Sequence, residues 1–340
     1  MNALSSTLLF FCTALTLCAG EPTWKIAVIG DTHDEVPQNP AHHGVAKEYI
    51  DHAYQNILKH KVDMVVQVGD LSDARTKHYP AGMDFRASLN KVLQQRNIPF
   101  FAVRGNHDQT KNDELGFVKN FFPDETKQQL KDFYKRKLTY GFRHKNVMLY
   151  FLDVDLTNQP NNLLKIVEDI ERRQKQGFTA PIILIFSHYP LQSPHNLKEG
   201  IFGASNDAAG AIQNKVYEKL ANLPMPLWIA GHLHAHILAT YKAPNLKSSL
   251  LQLTCAPCGE KAFPLPLMTE WGKRVNLHQF QSIVTGYYIL TISEDQIQID
   301  FYGAKSPCNG NVAPPVKQYK KRLSWSIPIK ASPQKPVLKK

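Results

Sequence analysis

Six times between positions 24 and 230 the chain repeats one pattern: a short apolar, largely β-branched run that breaks off into a turn and a polar cluster. The runs cover residues 25–29, 64–68, 100–103, 147–152, 182–186 and 227–230. Uninterrupted apolar runs of this length suit strands buried on both faces. Between them, residues 45–59, 85–95, 163–173 and 208–221 carry apolar stripes at helical spacing. Past Leu233 the pattern changes. Residues 237–241, 249–253, 287–292 and 296–301 read as strands with no helices between them, and Ile297, Ile299 and Phe301 alternate. The expectation is an α/β protein: a sandwich of two sheets with helices outside, its second, partly antiparallel sheet built from these later strands.

The residues after the runs matter more than the runs. Ile29 is followed by Gly30-Asp31-Thr32-His33, and Val68 by Gly69-Asp70-Leu71-Ser72-Asp73. Val103 is followed by Arg104-Gly105-Asn106-His107-Asp108, Phe186 by Ser187-His188, and Ala230 by Gly231-His232-Leu233-His234. In an α/β sheet the carboxyl ends of the strands line the ligand crevice, so these dispersed residues are expected to meet at one edge. Carboxylates, an amide and imidazoles without thiolates suit divalent Mn, Fe, Zn or Co. The set exceeds what one ion needs, and two ions sharing a carboxylate fit it better. Such a pair lowers the pKa of a bridging water and clamps phosphate oxygens.

The ordered motifs D-x-H, G-D-x-x-D, G-N-H-D, an isolated His and G-H-x-H span positions 26–234, and in them the chain resembles the calcineurin-like metallophosphoesterases. The resemblance implies a four-layer α/β/β/α sandwich of two mixed β-sheets flanked by helices, and hydrolysis of phosphomonoesters or phosphodiesters. It implies Asp31, His33 and His234 on a first metal, Asn106, His188 and His232 on a second, and Asp70 bridging them. His107 takes the place of the family's proton donor, with Asp73 as the carboxylate that orients it. Asp73 stands where purple acid phosphatases carry a tyrosine, and Ala74-Arg75 where protein phosphatases carry Arg-Gly; both subfamilies are disfavoured. Arg104 is a candidate phosphate contact. Asp108 reads as a turn residue, His236 as a plain strand residue, and His42 and His43 as surface residues before a helix. The alternatives are a non-catalytic scaffold of the same fold, or a nuclease.

Charge is unevenly placed. The chain carries a net +11, yet residues 305–340 hold nine basic and no acidic side chains, and residues 1–20 hold none of either. The remainder, 21–304, is left with +2, which argues against a nucleic-acid partner; the partner the resemblance implies is a small phosphate ester. Six prolines in 305–340 suggest an extended basic tail able to touch an anionic surface. Residues 1–20 read as a signal peptide, with Cys18 and Gly20 as the small residues of a cleavage site before Glu21, although no Lys or Arg precedes the apolar core. Export is therefore expected, with a lipoprotein anchor less well matched. In an oxidising compartment two of Cys255, Cys258 and Cys308 could bridge; the loop-like surroundings of Cys255-Ala-Pro-Cys258 speak against redox chemistry. Residues 21–304 form one expected domain. The segment 114–136 is expected to be a helical excursion, with a lid over the site as the alternative.

Overall fold

The apolar runs become strands that pair side by side into two mixed sheets. The computed structural model describes residues 23–34, 40–73, 79–108, 114–124, 128, 130–154, 159–178, 182–195, 200–201, 215–220, 222–223, 226–242, 249–262, 264–266, 275–306 and 319–329. The leader-like residues 1–20 and Cys308 lie outside these. The strands are β1 (Trp24–Ile29), β2 (Met64–Val68), β3 (Phe100–Val103), β4 (Lys131–Arg136), β5 (Thr139–His144), β6 (Val147–Leu152) and β7 (Ile182–Ser187). They continue with β8 (Pro226–Ala230), β9 (His236–Lys242), β10 (Ser249–Thr254), β11 (Val275–Gln281), β12 (Val284–Ile292), β13 (Gln296–Lys305) and β14 (Lys320–Pro328). The helices are α1 (Lys47–Ile57), α2 (Tyr79–Leu89), α3 (Lys91–Gln94), α4 (Glu114–Asn120) and α5 (Gln159–Lys175), with a further helical turn over 215–220.

One sheet has the order β14-β13-β12-β1-β2-β3, the other β11-β9-β10-β8-β7-β6-β5-β4. Strands β1, β2 and β3 run parallel, as do β6, β7, β8 and β10. Between the sheets lies an apolar layer in which Ile26, Val28, Val66 and Phe101 face Phe142, Phe151, Phe186 and Ile229. The outer face of the six-stranded sheet is covered by α1 through Tyr49, Ile50, Ala53 and Ile57, and by Leu93 of α3. The outer face of the eight-stranded sheet is covered by α5 through Leu163, Ile166, Val167 and Ile170, and by Val216 and Leu220. The result is the four-layer α/β/β/α sandwich.

Two sequence expectations are corrected and a third is met in part. The later strands do not form a sheet of their own: β9, β10 and β11 join the eight-stranded sheet, while β12 pairs with β1 and β13 with β12 in the other. Antiparallel pairing lets a late strand add to either edge of a parallel core, so sequence order did not decide the partition. The basic tail is not wholly a tail. Lys320–Pro328 pairs antiparallel with β13, and its alternating Leu323, Trp325 and Ile327 pack against the core. The segment 114–136 is the expected helical excursion only as far as α4: Phe117 of α4 and Phe121 just past its end pack on Leu71 and Met83, and β4 follows as an edge strand. Among the described residues no helix is long and apolar enough to cross a membrane, and Cys255 and Cys258 are unbridged and buried.

The sheet interface centres on Phe151, wholly buried, with Tyr140 stacked on it at 4.5 Å and Phe186 at 5.1 Å. Phe151→Ala is expected to destabilise the protein by about 3–5 kcal/mol through lost burial and the cavity left behind. The shift of the urea midpoint measures it, and a change below 1 kcal/mol (about the cost of a surface substitution) would contradict the packing described.

Candidate metal centre

The parallel strands of both sheets end at one rim. Turns after β1, β2 and β3 deliver Asp31, His33, Asp70, Asp73, Asn106 and His107; turns after β7 and β8 deliver His188, His232 and His234. Hydrogen bonds cross between the sheets there. His188 Nδ1 donates to the carbonyl of Val68 at 3.0 Å, and the His232 amide donates to Asp31 Oδ1 at 3.1 Å. Asp70, His232 and His234 have positive φ values of 47°, 71° and 51°. Strained backbone at such sites persists only where the surroundings hold it. Gly69 is required at φ +90°, since a Cβ there would lie 2.4 Å from His188 Nδ1. Gly105 is required for space, since its Cβ would meet Asp70 Oδ1 at 2.0 Å.

Ligand atoms of Asp31, His33, Asp70 and His234 all lie within 4.8 Å of one another, and all four residues are buried. His234 Nε2 is 3.3 Å from Asp31 Oδ1, and His33 Nδ1 is 3.6 Å from Asp70 Oδ2. On the other side of Asp70, His188 Nε2 lies 3.4 Å from Asp70 Oδ2 and 2.8 Å from Asn106 Oδ1. His188 has already spent its ring N–H on Val68, so its Nε2, Asn106 Oδ1 and Asp70 Oδ2 converge as three acceptors. The same holds for His234, whose Nδ1 bonds the Lys261 carbonyl. Metal-ligating imidazoles are commonly fixed by a carbonyl behind the ring in this way. Converging acceptors repel each other unless a cation lies among them, so the donor set fits a divalent metal centre.

Electrostatics point the same way. Burial lowers His188 to about 4 and holds His33 and His232 well below the usual imidazole range, so all three stand neutral, the form that ligates metal. Asp31 is opposed by burial but held far below the ordinary carboxylate range by His234, His188 and His33. Asp70 is pushed well up, first by burial and then by the charge of Asp31.

His232 stands at the second side, its ring 5.1 Å from His188 and 4.3 Å from Tyr189. His107 lies against His33, ring centroids 4.2 Å apart and nearly parallel, with its Nδ1 3.3 Å from Asp73 Oδ1. The His107 amide donates to Asp70 Oδ1 at 2.9 Å. Every sequence-derived candidate but Arg104 faces this rim directly. Arg104 instead forms a bidentate ion pair with Asp153 at the end of β6, 2.8 and 2.7 Å, which ties the two sheets together. Asp108 behaves as the turn residue expected, accepting the amides of Leu71, Ser72 and Gly105; burial pushes it up to about 7 against those bonds. His236 lies in the core, bonded to Tyr288 and Gln279, and His42 and His43 are half-buried beside Phe85.

One residue escaped the sequence reading. Strand β10 is parallel to β8, so its end also reaches the rim, and there Lys261 Nζ donates to His33 Nε2 at 3.2 Å. The signal was present: the strand read over 249–253 also breaks off into a turn, at Pro257 and Gly259.

Residues 25–236 match the family described as calcineurin-like phosphoesterase, Metallophos. The chain belongs to that family. No curated protein sequence matches it. Among solved structures it is similar in fold to a purple acid phosphatase from yellow lupin (Lupinus luteus) seeds, with TM-score 0.60 and 14% identity over 90% of this chain. It spans 54%, about half, of that chain. It is also similar in fold to a dimetal phosphatase from Danio rerio, with TM-score 0.53 and 12% identity over 90% of this chain and 99% of that one.

His236 gives a pH signature separate from the metal centre. Burial lowers it to about 4 from an ordinary 6.5. A depressed folded value means that its stabilisation is complete above the unfolded value and is lost as pH falls toward the folded one. The stability difference between wild type and His236→Gln should therefore shrink, relative to its value at neutral pH, as pH falls from 6.5 to about 4. Urea unfolding across that range reads it; a constant difference contradicts the assignment.

Proposed function

We propose that this enzyme hydrolyses the phosphoester bond of small phosphate esters at a two-metal centre, with Asp31, His33 and His234 holding one ion, Asn106, His188 and His232 the other, and Asp70 shared. The observation that carries this reading is the convergence of acceptors on both sides of Asp70. Two divalent ions, of Mn, Fe, Zn or Co, would supply Lewis-acid polarisation of the phosphoryl group and a water acidic enough to attack at neutral pH.

The chain's own residues do the rest. Asp70 Oδ1 is occupied by the His107 amide, which leaves Oδ2 turned between His33 and His188. The Val68 and Lys261 carbonyls set the ring orientations of His188 and His234, so each presents Nε2 inward. His107 holds a proton for the leaving oxygen. Asp73, buried and 3.3 Å from His107 Nδ1, orients that ring so that Nε2 is the donating atom. Asp108 ties the β2 and β3 turns together, which sets the separation between Asp70 and His107.

Asp70→Asn and His107→Ala are each expected to lower hydrolysis of p-nitrophenyl phosphate and bis-p-nitrophenyl phosphate with added Mn by about a hundredfold or more, the size of a lost positioned acid. Wild-type rates in either variant would refute its role, and a folded wild type that turns over neither ester would favour a scaffold. We also propose export through residues 1–20, on their apolar run and small-residue boundary. Amino-terminal sequencing of the mature protein should begin at Glu21; recovery of the intact amino terminus from the cytosol would refute export.

A further inference from the structure

Lys261 touches the metal centre twice, and its side chain takes no part in the reading above. Its carbonyl accepts from His234 Nδ1, and its ammonium donates to His33 Nε2 at 3.2 Å. The backbone that carries it is tied to the rim. The Cys258 amide donates to the Asp31 carbonyl at 3.0 Å, and a Cβ on Gly30 would lie 2.4 Å from the Ala256 carbonyl, so the loop after β10 rests directly on the end of β1. With the carbonyl engaged and the loop seated, the part of Lys261 that can relocate is its four-carbon stem and the ammonium at its tip.

An imidazole has at most one ring nitrogen with a lone pair, and an ammonium group can only donate. While Lys261 donates to His33 Nε2, that lone pair is used, and His33 Nδ1 has none to give. A metal on either nitrogen of His33 must therefore end the contact with Lys261. The Lys261 contact and a His33-ligated metal are alternatives for the same electron pair. Once displaced, the ammonium is still attached to a seated loop at the rim. Cations now in the centre repel it, and the phosphate anion they bind attracts it.

We propose that Lys261 is a phosphate-binding residue of this site, whose ammonium gives up its contact with His33 and turns toward a non-bridging phosphate oxygen when His33 takes a metal. The proposal rests on the two-metal reading. It places a third cationic group at one end of the centre, a feature that favours the dianionic phosphate of a monoester over the singly charged phosphate of a diester.

The test titrates Mn into metal-free wild type and K261M by calorimetry, and then inorganic phosphate into the Mn-loaded proteins, with circular dichroism to check folding. K261M should bind its first Mn several-fold more tightly, since no ammonium competes for His33. It should also bind phosphate roughly tenfold more weakly, the scale of one charge-assisted hydrogen bond. With p-nitrophenyl phosphate the loss should fall on KM more than on kcat, and bis-p-nitrophenyl phosphate should suffer less. K261R should keep phosphate affinity near that of wild type. Unchanged phosphate affinity in folded K261M overturns the phosphate role, and unchanged Mn affinity overturns the competition for His33. If the methionine variant does not fold, K261Q carries the same expectations. A wild type that takes up no Mn overturns the two-metal reading and this proposal together, whereas a Mn-loaded wild type matched by K261M overturns this proposal alone.

Discussion

Two carboxylates, Asp31 and Asp70, are buried within a few ångströms of each other at the junction of two sheets, ringed by imidazoles of which burial keeps His33, His188 and His232 neutral. Removing one charge from water is costly, and removing two of like sign is more so. The structure eases this only in part, through amide donors from His107 and His232. A centre of this kind is stable as a cation site and poorly explained as anything else.

Its construction follows from strand direction. Because β1, β2 and β3 run parallel in one sheet and β6, β7, β8 and β10 in the other, both sheets send their carboxyl ends to the same rim. The apolar layer between the sheets fixes their separation, while the Arg104–Asp153 ion pair and the His188–Val68 hydrogen bond fix their alignment. The site itself accepts unfavourable backbone: Asp70, His232 and His234 all occupy the left-handed region. The surrounding sandwich offsets that cost.

The inner strands and the residues following them were legible because both signals are local. A run such as Met-Val-Val-Gln-Val ending in Gly-Asp needs no knowledge of its neighbours. The edge strands were harder to read. β4, Lys-Asp-Phe-Tyr-Lys-Arg, is charged as edges often are, and β14 hides a clean alternation of Leu323, Trp325 and Ile327 inside a basic, proline-rich stretch. Its one proline, Pro328, sits at the strand's end, where a missing amide costs no inner ladder bond. Sheet membership of the late strands was not legible, since alternation shows that a strand has two faces but not which edge it joins. The ion pair of Arg104 was not legible for a related reason: its partner Asp153 lies 49 positions away, with nothing local to announce it.

The pairing of β1 with β12 has a consequence for how the molecule is made. β1 begins at Trp24, and its antiparallel partner ends at Ile292, with nearly all of the catalytic rim encoded between them. On the ribosome, where synthesis proceeds from the amino terminus, β1 waits without its second neighbour while the turns bearing all of the proposed ligands emerge. The active centre is thus written early and closed late, and a translating chain carries its metal-binding residues on a sheet that still lacks half its width.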